Sequence, residues 1–209
     1  MDHGERIALG KDGAMFNCMS LSFDAGNMTS LLPLYCGAAL HFGEPGEGVI
    51  AAAIACGASH MILPTALLAN LLPAADLGSL KAIGFGGEAC PSSLVERWGE
   101  RVALFNMYGP TECTVTALCA RLTPGAPITI GRPVNHLKAL ILDEAGNLCP
   151  VGVPGELCLA GLGLARGYLN LPERTQEAFI ELALAERTHR LYRTGDRALL
   201  RRDGNIQYL

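Results

Sequence analysis

The stretch Lys81–Glu112 reads KAIGFGGEACPSSLVERWGERVALFNMYGPTE. Two short apolar runs, KAIGFG and VALFNM, flank a polar-start segment, CPSSLVERWGER. That segment carries Pro91 early, Ser92 and Ser93 near the expected cap, and Glu96 after them. This is how a helix N-terminus reads, because a hydroxyl can accept from the unpaired first-turn N–H groups. Run, helix, run at so short a period makes a βαβ unit with parallel strands. Working outward, the same unit recurs. Strand-like runs begin near Met15 (MFNCMSLSF), Ala38 (AALHFG), Ser59 (SHMILP), Lys81 and Val102, at steps of 23, 21, 22 and 21 residues. Between them lie the helix-like segments AGNMTSLLPLYCG, EGVIAAAIACG and TALLANLLPAADLGSL. The runs are apolar on both faces, as a sheet covered by helices on both sides requires.

Past Ala120 the pattern changes. ITIGRPV is short and extended, and HLKALILDEAGNLCPVGVPGELCLAG alternates around the turn DEAGN. LYRTGDRALLRRDGNIQYL reads as two strands joined at Asp203-Gly204-Asn205, a hairpin signal. One helix, NLPERTQEAF, intervenes. The expected fold class is α/β: a mostly parallel sheet with flanking helices, followed by a small antiparallel β-barrel-like subdomain. The linker-like RLTPGAP (Arg121–Pro127) puts the boundary near residue 122. The expected parts are a lead-in (1–14), an α/β subdomain (15–122) and a β subdomain (123–209).

Of the 209 residues, 50% are hydrophobic and 17% charged, with a net charge of −4. So little charge suggests a surface partly covered by other polypeptide. No cluster of Lys and Arg makes a nucleic-acid groove. VIAAAIAC (Val49–Cys56) is far too short for a membrane span. The eight cysteines show no C-x-x-C and no zinc-finger spacing with His. They read as small core residues of a protein in the reducing cytoplasm.

In an open parallel sheet ligands bind beyond the carboxyl ends of the strands. Asp24 follows the first run, Pro64-Thr65 the third, Gly86-Gly87-Glu88 the fourth, and Tyr108-Gly109-Pro110-Thr111-Glu112 the fifth. Three carboxylates, a ring and a glycine pair thus share one edge. Each has an ordinary alternative: a helix cap, a tight turn, a charge at a helix start. Together they suggest a nucleotide site. The glycines admit a ligand close to the backbone, Tyr108 offers a flat face, Thr111 can donate to phosphate, and Glu112 can hold Mg²⁺.

NMYGPTE, GELCLAGLGLARGYLNLPERTQEAF and LYRTGDRALLRRDGNIQYL occur in this order. With GGEACPSSLVERW and SLSFDAG, they resemble the adenylation domains of nonribosomal peptide synthetases, over roughly Met15 to Leu209. These belong to the adenylate-forming superfamily. The resemblance implies ATP, AMP and Mg²⁺ as cofactors. It implies an amino-acid substrate, and a carrier-protein phosphopantetheine thiol as acceptor of the aminoacyl group. It further implies that Tyr108 stacks on adenine, with Asn106, Met107 and Gly109 beside it and Gly87, Glu88 and Ala89 lining the same pocket. Thr111 would contact phosphate, Glu112 would hold Mg²⁺, and both count as catalytic. Asp196, in YRTGD, would bind the ribose hydroxyls. Asp24 would pair with the substrate α-ammonium. Ala25, Met28, Ile62, Gly84, Gly86, Met107, Val115 and Thr116 would wall a pocket for a neutral, medium-sized, apolar amino acid, with Gly84 and Gly86 opening room. After Asp24 the family usually has Ser and then often an aromatic; here AGNMT follows.

The resemblance also implies a Ser/Thr/Gly-rich lysine loop upstream of Met15 and a lysine-bearing domain after Leu209. ALGKDG has one Lys and no Ser or Thr, and the sequence ends at Leu209. The chain is therefore expected to be a core that needs flanking segments of the same synthetase, and to be inactive alone. An excised fragment, a split enzyme and a non-catalytic binding remnant all fit that expectation. A fragment of an acyl-CoA or aryl-acid ligase is the further alternative, and Asp24 argues against it.

Overall fold

A computed structural model describes residues 2–184 and 187–209. The chain divides into two compact units, one of Met1–Met107 with Arg121–Ile128, the other of Tyr108–Ala120 with Thr129–Leu209.

The first unit begins with α1 (Asp2–Arg6) and then alternates strand and helix: β1 (Ala14–Asn17), α2 (Asp24–Cys36), β2 (Ala39–Phe42), α3 (Val49–Ala55), β3 (His60–Pro64), α4 (Thr65–Asn70), β4 (Ala82–Gly86), α5 (Ser92–Trp98) and β5 (Ala103–Tyr108). All five strands run parallel, in the order β2-β1-β3-β4-β5. The order reverses between β1 and β3, which makes that crevice the switch point of a doubly wound sheet. The five strand starts match the sequence expectation to within a residue.

The local details differ in four places. Only Ala14–Asn17 of the first run pairs, because Asn17 turns the chain into a hydrogen-bonded loop. The run after Pro64 is helical only to Asn70, with Pro73 shortly after. α5 has Pro91 as its cap residue and no side-chain cap bond from Ser92 or Ser93. β2 is an edge strand and is not covered on both faces: Ala39 and Phe42 are exposed. Beside that edge strand, α2 leaves Leu31, Leu34 and Tyr35 exposed.

Core packing follows from the apolar runs. Met15, Met61, Leu63, Ile83, Phe85 and Leu104 from the strands, and Leu68, Leu94 and Trp98 from the helices, are fully buried. His60 is one of the polar members of this interior, 3% exposed. Its Nδ1 lies 2.7 Å from Ser59 Oγ and its Nε2 lies 2.8 Å from the Ile7 carbonyl, the pairing of a neutral ring whose Nε2–H donates. Burial, more than the opposing Ile7 bond or the Lys81 charge, holds its pKa below the ordinary value. A base with a depressed folded pKa binds fewer protons folded than unfolded near pH 6, so stability rises with pH there. The contribution is complete above the unfolded value near 6.5 and is lost as pH falls toward the folded one. Thermal melting at pH 7.5 and pH 5 should therefore show a drop in the wild type that His60→Gln reduces. An equal drop in both would assign the acid sensitivity elsewhere.

The second unit holds a 3₁₀ turn (Thr111–Cys113), β6 (Leu118–Leu122, of which Leu118–Ala120 lie in this unit), β7 (Arg132–Pro133), β8 (Leu137–Leu142), β9 (Gly155–Gly161), α6 (Pro172–Ala178), β10 (Phe179–Leu184), β11 (Arg187–Leu200) and β12 (Ile206–Tyr208). β6 and β7 pair antiparallel. The antiparallel sheet runs β10-β11-β9-β8, with β12 paired to β11 through the expected Asp203-Gly204-Asn205 hairpin. In DEAGN, Asp143 Oδ1 accepts from the Ala145 and Asn147 amides, which closes the turn. Cys113, Leu118, Leu157, Leu159, Phe179, Tyr192 and Ala198 form the core. All eight cysteines are free thiols. Burial pushes the Cys113 and Cys158 thiols up to about 12, which suits inert packing residues.

Candidate functional site

In the first unit the loop after β1 is fixed by one buried side chain. Asn17, 1% exposed, donates through Nδ2 to Gly26 O (3.2 Å) and Ser30 Oγ (2.8 Å), and its Oδ1 accepts from Met19 N (2.8 Å). The strand end, the loop and α2 are thereby tied together. Gly26 lets the loop lie against the helix, since a Cβ there would collide with the Ser20 carbonyl. Asp24 is the first residue of α2 and Phe23 its cap, so Asp24 is not the N-cap. Its half-buried carboxylate accepts from the Ala25 amide at 2.7 Å and sits at the positive end of the helix. Ala25 and Met28 follow on the same helix, both half-buried.

Across the neighbouring strands, Ile62 pairs in register with Gly84, and Gly86 with Met107. A Cβ on Gly84 would lie 2.8 Å from Met107 Cε and 3.1 Å from Ile62 Cγ1. Three of the predicted pocket residues thus meet at one spot. The room that Gly84 opens is occupied by the Met107 thioether, which would have to shift to admit a Cβ there. Gly86 has its own constraint, because a Cβ would strike the Met107 carbonyl. Beyond it Gly87 has φ +91°, while Glu88 and Ala89 are exposed. Buried Thr65 steadies this loop: its hydroxyl donates to the Gly86 carbonyl at 3.0 Å. Asn106 is buried in β5, 3% exposed.

The second unit gathers the other residues. After Tyr108 the chain folds back, and Ala117 N donates to Tyr108 O at 2.8 Å. Gly109 is needed for that return, since a Cβ would lie 2.6 Å from Ala117 N and 2.9 Å from Thr116 Cα. Thr114 and Val115 adopt φ of +60° and +71°. A β-branched residue there is strained, and such strain gathers at functional loops. Thr116 is buried and Thr111 exposed. Two bonds staple this loop to the segment after β9: Thr114 Oγ1 donates to Gly163 O (2.7 Å), and Ala165 N to Glu112 O (2.7 Å).

Asp196 lies in a β-bulge of β11, between Arg193 and Arg197. Bulges re-aim side chains beside active sites. This one is pinned by Thr194 Oγ1 donating to Leu157 O (2.7 Å), and by Glu156, which accepts from Gly195 N (3.1 Å) and pairs with Arg193 (2.6 Å). The Tyr108 hydroxyl donates to Asp196 Oδ2 at 2.5 Å, and the Tyr168 hydroxyl to Glu112 Oε1 at 2.5 Å. Burial and then the Asp196 bond push the Tyr108 hydroxyl well above its ordinary value, and the Glu112 bond raises that of Tyr168.

Both carboxylates therefore stand half-buried in one unit, each with a tyrosine hydroxyl on one oxygen. No three or more His, Cys, Asp or Glu side chains cluster as a metal cage among the described residues. A lone carboxylate fits Mg²⁺, which keeps its waters and binds through one or two carboxylates plus substrate phosphates.

Asn17 and Tyr168 escaped the sequence reading, and Thr65 was placed at the strand edge without a role. Asn17 was visible as the one amide in an apolar run, and Tyr168 stood inside LARGYLN.

The family model described as "AMP-binding enzyme" matches residues 1–169. Novobiocin biosynthesis protein H of Streptomyces niveus is 46% identical over 151 residues, which are 72% of this chain and 25% of that protein. Bacitracin synthase 3 of Bacillus licheniformis is 38% identical over 195 residues, 91% of this chain and 3% of that protein. Among solved structures, PA1221, a synthetase protein with adenylation and PCP domains, superposes with a TM-score of 0.88 at 31% identity, over 96% of this chain and 37% of that one. AB3403, a four-domain synthetase bound to AMP and glycine, gives 0.89 at 30% identity, over 99% of this chain and 16% of that one. The chain thus spans a quarter or less of these two relatives and less than two fifths of either solved chain. With a family model over most of its length and the adenylation motifs in order, the chain belongs to the AMP-binding enzymes, among the adenylation domains of nonribosomal peptide synthetases.

Proposed function

We propose that this chain carries the amino-acid pocket and part of the nucleotide site of an amino-acid-activating adenylation domain. In that reaction a carboxylate oxygen of the amino acid attacks the α-phosphorus of ATP. A C–O–P linkage forms, the α–β phosphoanhydride bond breaks, and pyrophosphate leaves. The carrier-protein thiol then takes the aminoacyl group and AMP departs.

The observation that carries this reading is the pair of tyrosine-held carboxylates. Asp196, fixed in its bulge, accepts from both ribose hydroxyls. Glu112 holds Mg²⁺, which when bound supplies positive charge to the phosphates of the leaving pyrophosphate. Thr111, exposed beside it, donates to phosphate. Tyr108 gives adenine a face, and Asn106, Met107 and Gly109 with Gly87, Glu88 and Ala89 border the base. Asp24 receives the α-ammonium, and Ala25, Met28, Ile62, Gly84, Gly86, Met107, Val115 and Thr116 wall the side-chain pocket. With the Met107 thioether over Gly84, that pocket suits a neutral, medium-sized, apolar side chain. Free thiols agree with a cytoplasmic setting. AB3403, with AMP and glycine bound, and PA1221, with its PCP domain, support the choice of nucleotide, amino acid and carrier partner.

The test places these residues in the matching stretch of an active relative. Amino-acid-dependent ATP–pyrophosphate exchange by the chimera, strongest with neutral apolar amino acids, is the expected result. A folded chimera that exchanges with no amino acid would count for the binding-remnant or acyl-ligase alternatives.

A further inference from the structure

Glu112 is reached from outside its own loop. The segment that reaches it, Ala165–Tyr168, is fixed at several points. Arg190 donates to the Ala165 and Arg166 carbonyls at 2.7 and 2.8 Å. Tyr168 N donates to Thr175 Oγ1 at 2.9 Å. The Tyr168 ring meets Phe179 edge-on at 5.9 Å between centroids, and Arg174 lies 5.1 Å from its centroid. Behind Phe179 stands the Tyr192 ring, 5.1 Å away between centroids. A ring held on this many sides has little freedom, so its hydroxyl fixes where Glu112 Oε1 sits. A hydroxyl uses one of the acceptor sites of a carboxylate and adds no charge.

We infer that Tyr168 is a positioning residue that sets the Glu112 carboxylate for a divalent cation, an inference that rests on Glu112 being the metal ligand. Hydrogen-bond partners that orient a ligating group typically change metal affinity by about 10- to 100-fold when removed. Tyr168→Phe deletes the bond and keeps the ring against Phe179 and Arg174.

The probe is Mn²⁺ with AMP, its binding to the full 209-residue chain followed by water-proton relaxation. Wild type, Glu112→Gln and Tyr168→Phe are compared, with melting temperature recorded for each. Loss of binding in Glu112→Gln and roughly tenfold weaker binding in Tyr168→Phe at unchanged melting is the expected result. Wild-type affinity in Tyr168→Phe, while Glu112→Gln loses it, overturns the inference and leaves the metal reading standing. No difference between wild type and Glu112→Gln removes the metal reading, and the inference with it. Should Tyr168→Phe fail to fold, Thr175→Val decides, because it releases the Tyr168 amide and keeps the ring and its hydroxyl. Weaker Mn²⁺ binding at unchanged melting is then the expected result, and wild-type affinity overturns the inference.

Discussion

Asp24→Ala, in a chimera that carries these residues inside an active relative, should lose amino-acid-dependent pyrophosphate exchange by about 30- to 3,000-fold. The range follows from the usual cost of truncating one member of a desolvated, hydrogen-bonded charge pair, about 2–5 kcal/mol, at about 1.4 kcal/mol per factor of ten. An α-ammonium brought into a pocket walled by Ile62 and Met107 gives up its water and needs an anionic partner. Asp24 is suited because the Asn17-anchored loop fixes its place and the first turn of α2 orients its carboxylate. The loss should fall on the amino acid and spare AMP binding, which we propose to draw on Tyr108, Glu112 and Asp196. An Asp24→Ala chimera with undiminished exchange would remove the amino-acid reading.

Trp98→Ala should cost about 3–5 kcal/mol of stability, measured by urea unfolding followed by circular dichroism. Trp98 is fully buried at the end of α5, and a Trp-to-Ala cavity at such a site relaxes only partly. Domains of ordinary stability have about 5–15 kcal/mol in total, so this one change removes a large share. Fluorescence cannot follow it, because Trp98 is the sole tryptophan of the chain. Trp98→Phe should cost much less. The indole N–H finds no hydrogen-bond partner among the described residues, so phenylalanine removes a buried, unsatisfied donor along with some volume.

The parallel strands were legible because a strand covered on both faces must be apolar throughout, and the five runs recur at nearly constant steps. What the pattern could not give was the extent of each element. β1 stops at Asn17 because that amide bonds the loop and α2 together, a decision taken by partners nine and thirteen residues away. α5 carries two serines at its start, yet Pro91 takes the cap place. The candidate site was legible where the residue types announce their chemistry, as in YGPTE and YRTGD. It was not legible where a residue acts through another. Nothing local in the sequence says that Tyr168 reaches Glu112, 56 positions away, or that Tyr108 reaches Asp196 at a distance of 88. Ile62, Gly84 and Met107 were expected to share a pocket wall, and the structure brings them together. That the thioether fills the space over Gly84 is a matter of side-chain direction, which spacing does not encode.

The chain passes between its two units three times, at residues 107–108, 120–121 and 128–129. This has a meaning for recombination. A single crossover placed after Met107 would move Asp24, Ala25, Met28, Ile62, Gly84, Gly86 and Met107 into a new background. It would separate Arg121–Ile128 from the unit into which they fold. An exchange that keeps this compact unit intact calls for a cassette that runs past Ile128. Gene fragments exchanged at shorter boundaries would build that unit from two different parents.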